Sequence, residues 1–454
     1  MVAVIGRRRV GKTSLIRSAY ENRIDFDITG IQNATTKEQL QNFTNRLTTF
    51  AKPLLPLQQP ANWLAAFQML ITFLEEKKKP EKQVVFFDEL PWMATRKSDF
   101  IKGLGFFWNS WASQKNIIVV ICGSAASWMI NNIVRDRGGL HNRITRRIHL
   151  QPFTLAETEE YFKSRAIRFD RYQLIQLYMA AGGIPHYLKE AEGGKSAAQN
   201  IDQMCFSPAG LLRDEFSMLY SALFDHPEDH IRIIRSLAAG WQGLTRNEII
   251  EKGNLPNGGN TTRALEDLVT SGFISAYYAF GKKKKEMRYR LTDEYSLFYL
   301  KFIEEYKGEG KGIWQSLSQT QTWKSWSGYA FENICLKHLP QIKKQLGISG
   351  VYTETSSFYS KGNRYQPGIQ IDLLIDRNDH VINLCEMKFY KAEFVATKEF
   401  AKEVRTKIAL FQSLTNTKKQ IFFTLITTFG SIPNEYSIGQ IDQTLTMDAL
   451  FEPE

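Results

Sequence analysis

The chain has 454 residues, 43% hydrophobic and 13% aromatic, which excludes a disordered protein and points to roughly two to four separate cores. Its formal charge of +11 favours an anionic partner such as nucleic acid. Cys122, Cys205, Cys335 and Cys385 are far apart without metal-ligand spacing, the pattern of reduced core thiols in the cytoplasm. No apolar run approaches the ~20 residues of a membrane span, and the first residues enter a strand with no signal-peptide pattern.

Val2 to Ile5 is a short β-branched run that predicts a buried strand. It is followed by Gly6-Arg7-Arg8-Arg9-Val10-Gly11-Lys12-Thr13-Ser14, which fits the pattern G-x-x-x-x-G-K-[ST] without a mismatch. Thr13 to Ala19 then predicts a helix with Leu15 and Ile16 turned to the core. Strand, glycine loop and helix are what phosphate binding needs. Backbone N–H groups, with Arg9 and Ser14 in the loop, wrap a phosphate, Lys12 neutralises it and the Thr13 hydroxyl ligates Mg²⁺.

Residues 1–150 continue as alternating strands and helices. Phe26 to Thr29 is a candidate strand, and Asn62 to Phe73 has the helical period through Leu64, Phe67, Leu70 and Ile71. Val84 to Phe87 is an apolar strand ending in Asp88-Glu89, Ile117 to Cys122 another closing on Gly123-Ser124, and Thr145 to Leu150 a fifth. Continuous apolar strands between helices imply a parallel sheet covered on both faces. At the end of a strand, Asp88 is placed to hold Mg²⁺ and Glu89 to orient an attacking water; a solvated strand end would look the same. Ser124 is either a γ-phosphate sensor or an ordinary strand-to-helix turn.

Residues 151–222 read as all helical, with a capping box at Thr154 to Glu157 and a sharp break at Gly182-Gly183-Ile184-Pro185. Residues 223–306 predict a winged helix-turn-helix. Its helices are Ile231–Leu237, Thr245–Ile250 and one capped at Asn260 to Thr262 whose inner face carries Ala264, Leu265, Leu268 and Val269. Its hairpin, Phe273–Phe280 with Met287–Leu291, is tipped by Lys282, Lys283, Lys284 and Lys285, which suits DNA phosphate contact as well as it suits a solvated tip. His226 and His230 beside Asp225 and Asp229 resemble a metal pair, but a charged helix N-terminus explains them better.

Residues 307–325 are expected to be a linker, and residues 326–454 run helix, strand, strand, strand, helix, strand. Asp372 lies on one strand and Glu386-Met387-Lys388 ends the next. Residues i and i+2 of a strand share a face, so Glu386 and Lys388 point together. With Asp372 beside them the carboxylates make a hard-oxygen Mg²⁺ site, Lys388 is placed to activate a water, and Glu332 on the preceding helix supplies a further acid. A salt-bridged sheet without chemistry is the alternative.

Together these motifs resemble the archaeal-type ATPases, a STAND branch of the AAA+-like P-loop proteins. Gly6 to Thr13 is similar to that family's loop and Asp88-Glu89 to its acidic motif. Gly183-Ile184-Pro185 resembles the class's G-x-P motif, whose proline packs on adenine. The resemblance further implies Arg143 as a γ-phosphate contact, and a restriction-endonuclease-like last domain with Asp372, Glu386 and Lys388 at its PD-(D/E)-x-K positions, Ile371 standing where proline is usual. It also implies a helix and a G-R-E-type box before the first strand, where only five residues precede Gly6.

The expected fold is therefore an α/β multidomain chain: P-loop NTPase core, helical lid, winged helix, linker and nuclease-like domain. The expected function is that of a cytoplasmic ATPase using ATP and Mg²⁺ that binds and cleaves DNA, with room for a homo-oligomer or a regulatory protein partner and a role in defence or mobile-element biology. A nucleotide switch whose terminal domains bind DNA or protein without cutting is the second expectation.

Overall fold

The computed structural model describes every residue except 96, 135–137, 141, 225, 241–242, 283–285, 307–311, 363–366 and 454. The chain divides into two compact units. The first is Met1–Gln151 with Ser221–Asp225 and Glu266–Ser271, and the second is Pro152–Tyr220, His226–Leu265 and Gly272–Glu454.

The first unit is an α/β layer structure. Its elements are β1 (Val2–Ile5), α1 (Lys12–Tyr20), β2 (Phe26–Thr29), α2 (Thr36–Ala51), α3 (Trp63–Glu76), β3 (Gln83–Asp88), α4 (Leu90–Met93), α5 (Phe100–Ser110), β4 (Ile117–Gly123), α6 (Ala126–Met129) and β5 (Arg146–His149). The strands pair in parallel in the order β2-β3-β4-β1-β5, so β4 stands between the strand that enters the glycine loop and the strand that ends in Asp88. Helices cover both faces because the strands are apolar on both. One face packs Phe26, Phe43, Trp63, Phe67, Phe87 and Phe100, and the other sets Val4, Phe86, Val120 and Cys122 against Ile16 of α1. Leu15, expected inside, is 39% exposed. The buried stripe of α1 is Lys12 and Ile16, one turn apart, and Leu15 lies about 100° round the helix from Ile16. Leu64, also assigned to an inner face, is half exposed, while Trp63 beside it is fully buried.

The second unit begins with helices α7 (Leu155–Ser164), α8 (Arg171–Ala181), α9 (Pro185–Leu188) and α10 (Ala197–Cys205). Next come α11 (Glu215–Leu223), α12 (Pro227–Ala238), β6 (Leu244–Thr245), α13 (Arg246–Gly253) and α14 (Gly259–Thr270); α11 and α14 straddle the division between the units. The hairpin strands β7 (Ile274–Tyr277) and β8 (Arg288–Leu291) complete a three-stranded sheet ordered β6-β8-β7. Regular pairing stops short of Phe280, because Phe280 leaves the hairpin. Its N–H donates to Ser357 O at 2.7 Å and its ring packs 5.4 Å from that of Phe411. Val269 is 36% exposed, one position past the Ala264, Leu265 and Leu268 stripe. His230 bonds through Nδ1 to His226 O within its own helix turn, as a helix start requires; Asp225 lies outside the described residues.

The rest comprises α15 (Glu294–Phe298), α16 (Ile313–Leu317), α17 (Gln321–Lys337), α18 (Leu339–Gln345), β9 (Thr353–Ser360), β10 (Ile369–Arg377), β11 (Val381–Lys388), β12 (Phe394–Val395), α19 (Lys398–Thr415), β13 (Gln420–Thr427), β14 (Ser431–Ile432) and β15 (Gln443–Leu445). The main sheet is ordered β15-β13-β11-β10-β9, antiparallel from β9 to β11 and parallel from β11 to β15. The expected linker 307–325 is corrected here. Its first five residues are outside the description, but Ile313 to Trp323 is mostly helical, and Trp314 and Trp323 are buried with Phe298, Phe302 and Trp326. Asp202 fixes this segment by accepting from Gly312 N and Trp314 N, each at 2.7 Å. Burial of aromatic surface overrides the glycine-rich composition just upstream.

Candidate functional site

Two groups of expected site residues come together, one in each unit. In the first unit, β1 turns into α1 through a loop that two glycines make possible. A Cβ on Gly6 would meet Leu150 O at 2.4 Å, and Gly11 adopts φ +92°. Arg9 also takes a left-handed φ of 74°, a strain of order 1–3 kcal/mol for a non-glycine residue. Such backbone forms anion-binding concavities. Lys12 is buried, and its Nζ donates to Gly6 O at 2.9 Å and to Arg7 O at 2.8 Å. Burial pushes its ammonium below the ordinary lysine value, against the opposing pull of the Glu89 and Asp88 carboxylates.

The Thr13 hydroxyl donates to Asp88 Oδ2 at 2.7 Å. The other oxygen of Asp88 accepts from Glu89 N at 3.0 Å and from the Cys122 thiol at 3.1 Å. Burial first, then Asp88 itself, pushes that thiol well above its usual range, so it stays a neutral donor. Glu89 has a left-handed φ of 46°, and its Oε2 accepts from the Ser124 hydroxyl at 2.8 Å and the Ser124 N–H at 3.1 Å. Ser124 therefore holds Glu89 here. Ser14 is exposed on the first turn of α1, and Arg143 is exposed just before β5. Pro185 belongs to the other unit, where it is the first residue of α9. The role of Cys122 was not legible in sequence, where it looks like any apolar strand residue.

In the second unit, β10 and β11 pair Leu373 with Cys385. The same antiparallel register carried one residue further sets Asp372 opposite Glu386, at a β-bulge of β10 against β9 between Ile371 and Leu374. Asp372 Oδ1 accepts from Gln370 Nε2 at 2.7 Å. The Glu386 carboxylate meets Lys388 Nζ at 2.8 Å on one oxygen and Lys407 Nζ at 2.9 Å on the other, and Lys407 also reaches Glu403 at 3.0 Å. Burial pushes Glu386 up, but the Lys407 and Lys388 ammoniums outweigh it and hold the carboxyl below its usual range. Glu332 of α17 is pushed well above that range, chiefly by burial and then by Asp372 and Glu386, with Arg290 and Lys388 opposing. The four expected residues thus share one electrostatic neighbourhood, with Lys407 and Arg290 added. Lys407 and Arg290 lie on elements distant in sequence, so no local spacing could have pointed to them. Among the described residues, no three His, Cys, Asp or Glu side chains stand close enough to hold a metal ion as placed. Lys283 to Lys285 of the expected wing lie outside the described residues, and Lys282 pairs with Glu286 at 3.1 Å.

Residues 1–191 match the family described as "ATPase domain predominantly from Archaea". That stretch is similar to an archaeal-type ATPase domain. The matched stretch contains the whole loop, the Asp88-Glu89 pair and Gly183-Ile184-Pro185. The chain is 21% identical over 394 residues to the uncharacterized protein MJECL04 of Methanocaldococcus jannaschii, covering 86% of this chain and 82% of the relative. Among solved structures, the Walker-type ATPase PABY2304 of Pyrococcus abyssi aligns at 17% identity and a TM-score of 0.48, over 66% of this chain and 90% of that one. The Aeropyrum pernix ORC2 protein in its ADPNP-ADP complexes aligns at 15% identity and a TM-score of 0.38, over 70% and 89%. Among the described residues, no helix is long and apolar enough to cross a membrane.

Proposed function

We propose that the chain is an ATP-driven, DNA-acting protein: the archaeal-type ATPase domain binds and hydrolyses ATP, and the second unit binds DNA and cleaves it at the Asp372, Glu386 and Lys388 cluster. The observation that carries the nucleotide half is the contact of Thr13 with Asp88, beside a lysine resting on the glycine loop's own carbonyls. A hydroxyl and a carboxylate in contact are the oxygen donors that Mg²⁺ takes, so Thr13 and Asp88 would hold it. Bound there, Mg²⁺ supplies charge neutralisation at the transferring phosphate.

The chain's own groups do the rest. Lys12 exchanges two carbonyls for phosphate oxygens, a charge-assisted pairing that is the stronger one. Glu89 orients the water, and Ser124 fixes the Glu89 carboxylate until the nucleotide competes for its hydroxyl. Arg143, just before β5 in the same unit, contacts the γ-phosphate. Turnover by Glu89→Gln and Ser124→Ala tests this assignment: Glu89→Gln keeps ATP bound and loses hydrolysis, whereas Ser124→Ala binds ATP normally with hydrolysis changed about tenfold, the scale of one hydrogen bond to a charged group. Unchanged turnover in both removes the assignment.

For the DNA half, support comes from α12 to α14 followed by the β7–β8 hairpin, the order of a winged helix, and from the mixed sheet that brings the four cluster residues into one neighbourhood. A second reading, a nucleotide switch that binds DNA or a protein partner without cutting, is favoured by one observation: both oxygens of Glu386 are already paired with lysines.

A further inference from the structure

Asp88 is 3% exposed, so both of its carboxylate oxygens must find donors within the fold. Oδ2 accepts from the Thr13 hydroxyl of the glycine loop at 2.7 Å. Oδ1 accepts from Glu89 N at 3.0 Å and from the Cys122 thiol at 3.1 Å. The first of these is the backbone of the next residue, which moves with Asp88. Among the described residues, the thiol is the one side chain that holds Oδ1 from another element.

Strand order puts the thiol there. β4 runs between β1 and β3, with Val4 opposite Cys122 and Phe87 opposite Ile121. The β3–β4 register carried one residue further sets Asp88 beside Cys122, and residues in register on neighbouring strands project to the same face. On that face Cys122 is fully buried and belongs to the core of Val4, Ile16, Phe86 and Val120. The position therefore asks for a small side chain that packs as an apolar group and still donates one hydrogen bond. A thiol does both.

The kind of donor matters as much as its place. A cation beside Oδ1 would offset the charge that Asp88 offers to Mg²⁺, as the two lysines do for Glu386. An apolar side chain would leave a buried carboxylate oxygen short of a donor and less firmly held. The neutral thiol fixes the carboxylate and leaves its charge whole. We propose that Cys122 is a positioning residue of the nucleotide site, which locks the Asp88 carboxylate with Oδ2 toward Thr13 and so sets how strongly Mg²⁺ tightens nucleotide binding. The proposal rests on the nucleotide half of the reading above.

The test is calorimetric titration of the full chain with the non-hydrolysable analogue ADPNP, once with Mg²⁺ and once with EDTA, so that binding is read without turnover. The wild type is expected to bind more tightly with Mg²⁺. Cys122→Ala and Cys122→Val both remove the donor, one with a smaller side chain and one with a larger. Both are expected to lose about tenfold of the Mg²⁺ enhancement, the scale of a lost hydrogen-bond partner behind a metal-holding group, with the affinity in EDTA near that of the wild type. Cys122→Ser restores a donor of similar size and should recover most of the enhancement. An unchanged enhancement in Cys122→Ala and Cys122→Val overturns the proposal. So does an equal loss with Mg²⁺ and with EDTA, which marks a packing role only, or a Cys122→Ser that behaves like Cys122→Ala. A wild type that binds ADPNP equally well with and without Mg²⁺ removes the Thr13 and Asp88 metal reading together with the proposal, whereas the other outcomes leave that reading standing.

Discussion

Both units hold a pair of acids at the main sheet, yet they satisfy it by opposite means. In the first unit Asp88 and Glu89 are met by neutral donors, the hydroxyls of Thr13 and Ser124, the Cys122 thiol and backbone N–H groups, while Lys12 rests on carbonyls. In the second unit Glu386 is met by two ammonium groups directly. Neutral partners leave the charge of the first site available to an incoming Mg²⁺ and phosphate. The second site is charge-balanced already, so a metal must displace or outbid a protein cation. The first arrangement is poised for a ligand, and the second has stability tied up in its ion pairs.

The contrast can be broken first at Glu386. Glu386→Gln leaves Lys388 and Lys407 under-compensated in a largely buried place, and is expected to cost about 3–5 kcal/mol by denaturant unfolding. A loss under ~1 kcal/mol would put the second site in the same class as the first. Next in size, Lys12→Ala is expected to weaken ATP binding about 100-fold by calorimetry, two charge-assisted contacts at roughly tenfold each, while moving the unfolding midpoint little. A large stability loss with ATP affinity retained would make Lys12 a structural cation like Lys407.

His338, at the end of the helix that carries Glu332, sharpens the comparison through pH. Its Nε2 accepts from Leu155 N at 3.0 Å and its Nδ1 bonds Ile334 O at 2.8 Å, and burial pushes the imidazole down to about 4. The unfolded chain protonates near ~6.5, so it binds the proton first as pH falls. Stability is therefore present in full above that value, declines between ~6.5 and about 4, and is lost by up to about 3 kcal/mol below. His338→Gln should flatten the melting-temperature profile across that window; an unchanged slope would assign the acid sensitivity to other groups. The smallest effect belongs to the hairpin tip. Neutralising Lys282 to Lys285 should lower the log–log salt slope of DNA binding by about 0.9 for each DNA phosphate that is no longer neutralised. An unchanged slope would mean that the tip does not touch DNA.

How much was legible follows the same divide. The glycine loop and its helix are contiguous, and their chemistry depends on backbone shape, so one unbroken stretch from Gly6 to Ser14 announces both fold and role. Asp372, Glu386 and Lys388 could be proposed because strand alternation fixes which side chains share a face. Lys407 and Arg290 could not, since a later helix, α19, and a returning hairpin strand bring them in. Trp314 and Trp323 were hidden by the glycine- and lysine-rich stretch before them, and Leu15 was misplaced because a nine-residue helix buries only one narrow stripe. Strand order was not legible either: nothing local says that β4 intervenes between β1 and β3.

The most direct test of the account is Mg²⁺-dependent DNA cleavage by the wild type and by Asp372→Asn, assayed with ATP present. Among the described residues Asp372 carries only the Gln370 hydrogen bond, so its amide variant should fold normally, where Glu386→Gln would not separate activity from stability. The account predicts metal-dependent cleavage by the wild type, and its loss in a normally folded Asp372→Asn that still binds ATP. Cleavage surviving in Asp372→Asn, or absent from a wild type that binds both ATP and DNA, would contradict it.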